Sequence, residues 1–348
     1  MRMRTLGNTG IQVSELGFGS LFASSLGHGF AESRSAVRRA IELGINYFDT
    51  APAYADSEEI LGRILAEHRS TPLILSTKLG GRPQPFDARN KQQLIQSAES
   101  SLKLLHREAI DVLFIHEPDR PQQYDWWTNA DTATGPVVEA LDELKRRGLI
   151  RFTGLGGTTT TEMAHLLRSA KFDVVLTAFN YSVLFREATL EVLPAAEKLG
   201  MGIVLGSTLQ QGGLGRRYDD IVRSKPIWMS QARQRQFQAL YALLDETGIP
   251  LVEMCLRFAV SYSSASSILI GPKTAKQVED SVAAIAKGPL PAELLQRLDE
   301  IAAMVPSRPF EEPMILPLAN PHGYTGPGMA NLGAGVKVGK LETKSTAR

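Results

Sequence analysis

Cysteine is nearly absent from this chain: Cys255 is the single one among 348 residues. One thiol excludes an internal disulfide, and without thiol partners it excludes a cysteine-rich zinc site. Set inside the apolar stretch VEMCLRFAV, it reads as a small core residue rather than a nucleophile. Long hydrophobic runs are also missing, and none approaches the roughly 18 apolar residues of a membrane span. Neither sign of charge dominates: 38 Lys and Arg face 37 Asp and Glu, a formal net charge of +1. That balance leaves no electrostatic footprint for nucleic acid or an anionic membrane. The basic stretch LKRRG (144–148) reads as the solvated end of a helix, where cations are favourable. The opening MRMRTLGNTGIQVSEL is interrupted by Gly, Asn and Thr and holds no secretory apolar core. These absences set the expectation of a soluble, cytoplasmic globular protein, with no nucleic acid or membrane partner and an oligomeric state left open.

What is present is an alternation. Strand-like apolar runs occur at SELGFGSL, INYFDT, PLILSTK, IDVLFIH, IRFTGLGG, FDVVLTAF, MGIVLGS and SSILIG, and nearly every one is followed by an amphipathic stretch. Ser33 is placed to cap the first helix, Gly148 to stop the fourth, and a longer helical region near 231–261 breaks at Gly248–Pro250. Strands alternating with helices mean βαβ units and a parallel sheet. Eight repeats spread evenly favour a closed (β/α)8 barrel, the TIM barrel, over an open doubly wound sheet. The dinucleotide fingerprint of the open alternative is poorly placed, since GFGSLFA lacks the third glycine and the later acid. The expected organisation is one barrel domain over residues 1–305 and a long Pro- and Gly-rich C-terminal extension over 306–348, partly across the mouth, with a flexible end. Residues 117–135 form a long, helix-poor loop whose Trp126 and Trp127 argue against disorder.

In a barrel the chemistry sits at the C-terminal ends of the strands. The second strand candidate ends at Asp49 with Tyr54 in the loop after it, the third at Lys78 and the fourth at His116. Each alone has an ordinary reading: a helix cap, a packed phenol, an exposed lysine, a structural histidine. On three successive strands they become neighbours. An ammonium favours the phenolate and lowers the pKa of a phenol, and a carboxylate keeps the lysine charged and oriented. An imidazole can hydrogen-bond a substrate oxygen. The set is an acid/base device for an oxygen atom that lacks only an electron carrier.

With these residues in view the chain resembles the aldo-keto reductases. FDTAPAYADSEEILG is similar to the signature of that family, LSTK to its lysine strand and IDVLFIHEPD to its histidine strand. The stretch from Met3 to Ser20 is similar to its N-terminal β-hairpin and first strand, and the likeness runs in order over about residues 3–290. The resemblance implies an NAD(P)-dependent oxidoreductase of the sugar or aldose dehydrogenase branch, with hydride passing between a nicotinamide and an aldehyde, ketone or sugar lactol. It implies Tyr54 as general acid/base, Lys78 and Asp49 as its tuners, and His116 as the group that aligns the carbonyl.

The same resemblance assigns cofactor contacts to Gly19, Ser20, Leu21 and Asp49, to Gly156 and Gly157, and to Ser207, Leu209, Gln211 and Gly212. It assigns the adenosine end to Gly271, Lys273, Thr274, Gln277 and Ser281, where an Asn is common in place of Ser281. Lys273 and Thr274 at a helix start suit a 2′-phosphate, which favours NADP(H) over NAD(H). Gly206 stands where the family often has an aromatic, and Gly156–Gly157 where it commonly has Ser-Asn. Trp126 and Trp127 are placed either as a substrate wall beside Tyr54 and His116 or as anchors of their loop. Two other functions fit a barrel: a cofactor-binding regulatory subunit of the same fold, and a hydrolase or isomerase that needs no nicotinamide.

Overall fold

The computed structural model describes residues 1–309 and 312–319. Ten strands run in chain order: β1 Met3–Thr5, β2 Gln12–Ser14, β3 Leu16–Gly19, β4 Tyr47–Asp49, β5 Ile74–Leu79, β6 Ile110–His116, β7 Ile150–Gly157, β8 Val174–Ala178, β9 Gly202–Gly206 and β10 Ser267–Ile270. The last eight pair in parallel, each with its successor, and β10 closes on β3. This is the expected (β/α)8 barrel. Eleven helices are described: α1 Phe30–Glu42, α2 Ser57–Leu65, α3 Lys91–Leu104, α4 Pro136–Arg146, α5 Thr160–Ser169, α6 Val192–Lys198, α7 Asp219–Ser224, α8 Gln231–Thr247, α9 Leu251–Val260, α10 Ala275–Ala286 and α11 Ala292–Ala303.

Local chemistry sets most of these boundaries. Ser230 accepts the amide of Arg233 at 3.0 Å and starts α8. Gly248, at φ 66°, ends it with its amide on the Leu244 carbonyl, and Pro250 then opens α9. Ser33 does not cap the first helix. That helix begins three residues earlier at Phe30, and the Ser33 hydroxyl donates back to the Gly29 carbonyl at 2.8 Å. The basic run at 145–146 does form the last turn of α4.

Two apolar cores result. One fills the layer between barrel and helices. The other lies inside the barrel, where Tyr47, Val112, Phe114, Val174, Leu176, Val204 and Leu269 point inward. The β1–β2 hairpin closes the lower end of that interior with Leu6, Ile11 and Val13. The barrel is thus plugged below and open only above.

The C-terminal segment 312–319 lies against the upper loops. Glu312 is fully buried with Arg233 of α8, Nε to Oε2 2.8 Å. Arg233 also bonds Gln236, whose amide reaches the Ile301 carbonyl at 2.9 Å. Arg308 holds the Met314 carbonyl at 3.0 Å and stacks on Phe185 at 3.9 Å. Met314 approaches Arg120 in the loop after β6, and Leu316 packs beside Gly213 after β9. The end of the expected extension, 320–348, lies outside the described residues.

Removing one partner of a buried pair leaves the other charge uncompensated. Glu312→Ala should therefore cost about 3–5 kcal/mol in urea unfolding, and Arg233→Met with Glu312→Leu should recover most of it. A loss under about 1 kcal/mol for Glu312→Ala, the size of an exposed pair, would contradict the assigned role of the pair.

Candidate active site

Side chains alternate along a strand, so one parity faces the barrel interior. That parity brings Tyr47 and Asp49 inward from β4, Ile74, Ser76 and Lys78 from β5, and Val112, Phe114 and His116 from β6. The topmost inward residues of three adjacent strands are therefore a carboxylate, an amine and an imidazole, and Tyr54 leans over them from the loop after β4. Lys78 Nζ lies 2.6 Å from Asp49 Oδ2 and 2.7 Å from the Thr50 carbonyl. It also sits 4.8 Å from the centroid of the Tyr54 ring. The Tyr54 and His116 rings meet edge to face, with centroids 5.7 Å apart at 81°. All four expected groups converge on one spot.

The charges follow from this geometry. Burial alone would pull the Lys78 ammonium down. Asp49, and then Tyr54, outweigh burial and hold it above the ordinary lysine value. Burial is also the largest influence on Tyr54, and it pushes the phenol up; Lys78 pulls it down, while Asp49 and Glu117 add to the rise. The net direction is upward, where the sequence suggested a lowered phenol: Lys78 shares its charge with Asp49, so it offsets burial only in part. Part of Tyr54 stays exposed, which moderates the burial contribution. His116 is driven well below its usual value by burial, then by Lys78, then by Arg120, and is neutral. A neutral imidazole keeps one N–H and one lone pair for a ligand.

Beside these three strands and across the barrel from them the rim is bare. The topmost inward positions of β7, β8 and β9 are Gly156, Ala178 and Gly206, and β3 ends at Gly19. At Gly206 a Cβ would come within 3.2 Å of Leu176 Cδ2 and 3.4 Å of Ala178 Cβ, so a larger side chain there needs Leu176 to shift by a few tenths of an ångström. At Gly156 a Cβ would find nothing closer than 3.8 Å, so packing does not demand the glycine.

Four buried polar atoms close to the strand ends have no partner among the described residues: Ser20 Oγ, His116 Nδ1, Thr208 Oγ1 and Gln210 Oε1. Buried polar groups are nearly always satisfied, so such orphans call for a polar ligand or water. A flat bare floor bordered by unsatisfied polar atoms fits a planar ring with a polar substituent, as a nicotinamide is. Backbone strain marks the same rim. Ala55, Glu117, Phe179, Ser207, Gln210 and Gln211 all have positive φ and all follow barrel strands. Thr208 and Gln210 escaped the sequence reading because these left-handed residues break the alternation that would have flagged them.

The remaining expected cofactor residues form two groups. Gly271 approaches Phe22, and Lys273 Nζ sits 4.5 Å from the Phe22 ring centroid, so the Gly19–Leu21 turn and the start of α10 are neighbours. Thr274 caps α10 by accepting the Gln277 amide at 3.3 Å, and the Gln277 side chain accepts the Lys273 amide at 2.7 Å. Two donors that a phosphate would use are thus already engaged. The Ser281 hydroxyl is bonded to the Gln277 carbonyl at 2.7 Å and is buried. Ser207, Leu209, Gln211 and Gly212 lie along the turn after β9. Gly157 faces outward, toward Met163 of α5 and Asp119, and not toward the rim floor.

The tryptophans correct a second expectation. Trp126 donates its indole N–H to the His116 carbonyl at 3.0 Å, and Trp127 donates to the Pro118 carbonyl at 2.8 Å. Both are buried, so they anchor the loop instead of walling the pocket. Tyr124 is the aromatic beside the opening: it lies close to Gly80 and Gly81 and packs on Phe86 and Trp126. Next to His116, the Glu117 carboxylate accepts from Thr158 at 2.9 Å and faces Arg120 at 3.4 Å.

Comparison with known proteins follows the same outline. The model of the Aldo/keto reductase family matches residues 15–303. L-galactose dehydrogenase of Arabidopsis thaliana is 30% identical over 300 residues, spanning 82% of this chain and 88% of that protein. D-threo-aldose 1-dehydrogenase of a Pseudomonas species is 25% identical, spanning 86% and 96%. An aldo-keto reductase from Bacillus halodurans, solved in its holo form, superposes with a TM-score of 0.69 at 26% identity, spanning 88% of this chain and 98% of that one.

Burial, then the Asp119 charge, raises Glu117 to about 7 against Arg120, Thr158 and Lys78. A carboxyl that binds its proton more tightly when folded contributes stability below its unfolded value, and that contribution fades as pH rises through 7. Between pH 5 and 8 the wild-type melting temperature should fall on the order of 2–5 °C more than that of Glu117→Gln. Parallel curves for the two proteins would contradict this assignment.

Proposed function

Because the chain belongs to the aldo/keto reductase family, and so to a family of oxidoreductases, we propose that it transfers hydride between a nicotinamide dinucleotide and a carbonyl or alcohol carbon, with Tyr54 as the proton-handling residue. The sugar dehydrogenases among its relatives support a sugar lactol or hydroxyaldehyde as the substrate class. The observation that carries this reading is Lys78, held between Asp49 and the Tyr54 ring with a neutral His116 at the edge of that ring.

Each residue has a task set by its state. The substrate oxygen lies between Tyr54 and His116. Neutral His116 offers a hydrogen bond without competing for the proton, and so fixes the oxygen relative to the phenol. In the reducing direction the phenol donates its proton to the developing alkoxide. The Lys78 ammonium then stabilises the phenolate left behind, and Asp49 keeps that ammonium charged and fixed. In the oxidising direction the same phenolate takes the hydroxyl proton. The nicotinamide, when bound, supplies or accepts the hydride. The Gly19–Leu21 turn, Gly156, the 207–212 turn and the Gly271–Gln277 stretch would hold it. Lys273, just before the Thr274 cap of α10, supports NADP(H) over NAD(H). The charged, assembled tetrad favours turnover over a purely regulatory role.

Binding of NADPH and NADH should be measured separately by fluorescence, followed by turnover on aldehydes, ketones and free sugars. Tyr54→Phe should lower kcat at least about 10³-fold, within the range one positioned acid/base group supplies, and leave nicotinamide affinity within about twofold. No binding of either nucleotide at millimolar concentration, or full turnover in Tyr54→Phe, would overturn the reading.

A further inference from the structure

Below the Asp49–Lys78 pair the barrel interior is not wholly apolar. Tyr47 and Ser76 are both completely buried there. The Tyr47 hydroxyl lies 3.0 Å from Ser76 Oγ, and Ser76 Oγ lies 2.6 Å from Asp49 Oδ1. An ionised carboxylate only accepts, so the single Ser76 proton goes to Asp49 and the Tyr47 proton goes to Ser76. The hydrogen bonds therefore run one way, from Tyr47 through Ser76 to Asp49, whose other oxygen receives Lys78. Room for the phenol is provided on the neighbouring strand: a Cβ on Gly17 of β3 would come within 3.0 Å of the Tyr47 ring. Ser267 inside the same barrel bonds the Ser14 carbonyl, but Ser76 and Tyr47 serve no backbone group, and apolar residues would pack there at lower desolvation cost.

We propose that Ser76 and Tyr47 are positioning residues of the reaction: they hold Asp49 with Oδ2 turned to Lys78, and they draw off part of its negative charge. Lys78 is then left freer to stabilise the Tyr54 phenolate. This rests on the acid/base reading of Asp49, Lys78 and Tyr54 given above. Without the Ser76 hydroxyl, Asp49 Oδ1 has no donor in the core, and the carboxylate concentrates its charge on Lys78. The phenol then ionises at higher pH. The other charged or titrating groups acting on this line are His116 on β6, Glu117 and Arg120 on the loop after β6, and Asp111 near the base of β6. They are unchanged in the variants below.

The test is the pH profile of kcat on the best substrate of the panel, with nicotinamide affinity measured by fluorescence. Ser76→Ala should lower kcat on the order of tenfold, the rate equivalent of one charge-assisted hydrogen bond, and leave KM and nucleotide affinity within about twofold. The limb that reports Tyr54 should move to higher pH. Ser76→Thr restores a hydroxyl and should restore the profile. Tyr47→Phe should move it in the same direction by less, and should add nothing in the Ser76→Ala background. If Ser76→Ala does not fold, Tyr47→Phe alone must displace the profile. Wild-type kcat and an unmoved profile in the folded variants would overturn the positioning role and leave the Tyr54 reading standing. Full turnover in Tyr54→Phe would instead remove the premise.

Discussion

The site depends on one buried ion pair. Lys78 and Asp49 are both almost completely removed from solvent, and two charges taken out of water cost several kcal/mol each before any attraction is counted. The pair persists because each charged group is held by two hydrogen bonds. Lys78 has Asp49 and the Thr50 carbonyl, and Asp49 has Lys78 and Ser76. It persists also because β4 and β5 are adjacent strands of a closed barrel, so neither side chain can turn away. A burial cost of this kind gives no efficient stability. It gives a fixed positive charge beside a phenol, which is what an acid/base tyrosine requires.

The rim is divided by function. Three neighbouring strands, β4, β5 and β6, end in Asp49, Lys78 and His116, and the next three, β7, β8 and β9, end in Gly156, Ala178 and Gly206. The hairpin seals the lower end with Leu6, Ile11 and Val13, so a ligand enters only from above. There the loops are strained, anchored and partly covered. Trp126 ties the loop after β6 to the strand end that carries His116, Trp127 ties that loop to its own start at Pro118, and the 312–319 segment braces the loops after β6 and β9. Strand ends without side chains, unsatisfied polar atoms nearby and ionisable groups on three adjacent strands support the proposed placement of a planar ring beside a polarised oxygen.

Much of this was legible in the amino-acid order because it is written in periodicity. Eight apolar runs, each ending in a turn, gave the barrel, and three of them ended in Asp49, Lys78 and His116. The four site groups needed only the rule that successive strands are neighbours. What could not be read was whatever depended on side-chain direction or on competition between effects. Spacing leaves Trp126 and Trp127 either as a pocket wall or as loop anchors, and only their indole N–H bonds to backbone carbonyls distinguish the two. Ser33 looked like a cap until the helix was found to start at Phe30. The upward shift of Tyr54 depends on how burial weighs against a lysine already shared with Asp49, and no spacing encodes that. Ser76 was hidden inside the apolar run PLILSTK, where a serine between leucine and threonine carries no periodic signal.

Lys78, through its position beside Tyr54, is proposed to set the ionisation of that phenol. Ultraviolet difference titration of phenolate formation tests it directly, with Tyr54→Phe subtracted to isolate the one tyrosine. In Lys78→Met the Tyr54 phenolate should appear at clearly higher pH than in the wild type, with the other tyrosines unmoved. An unchanged Tyr54 titration in a folded Lys78→Met protein would contradict the account.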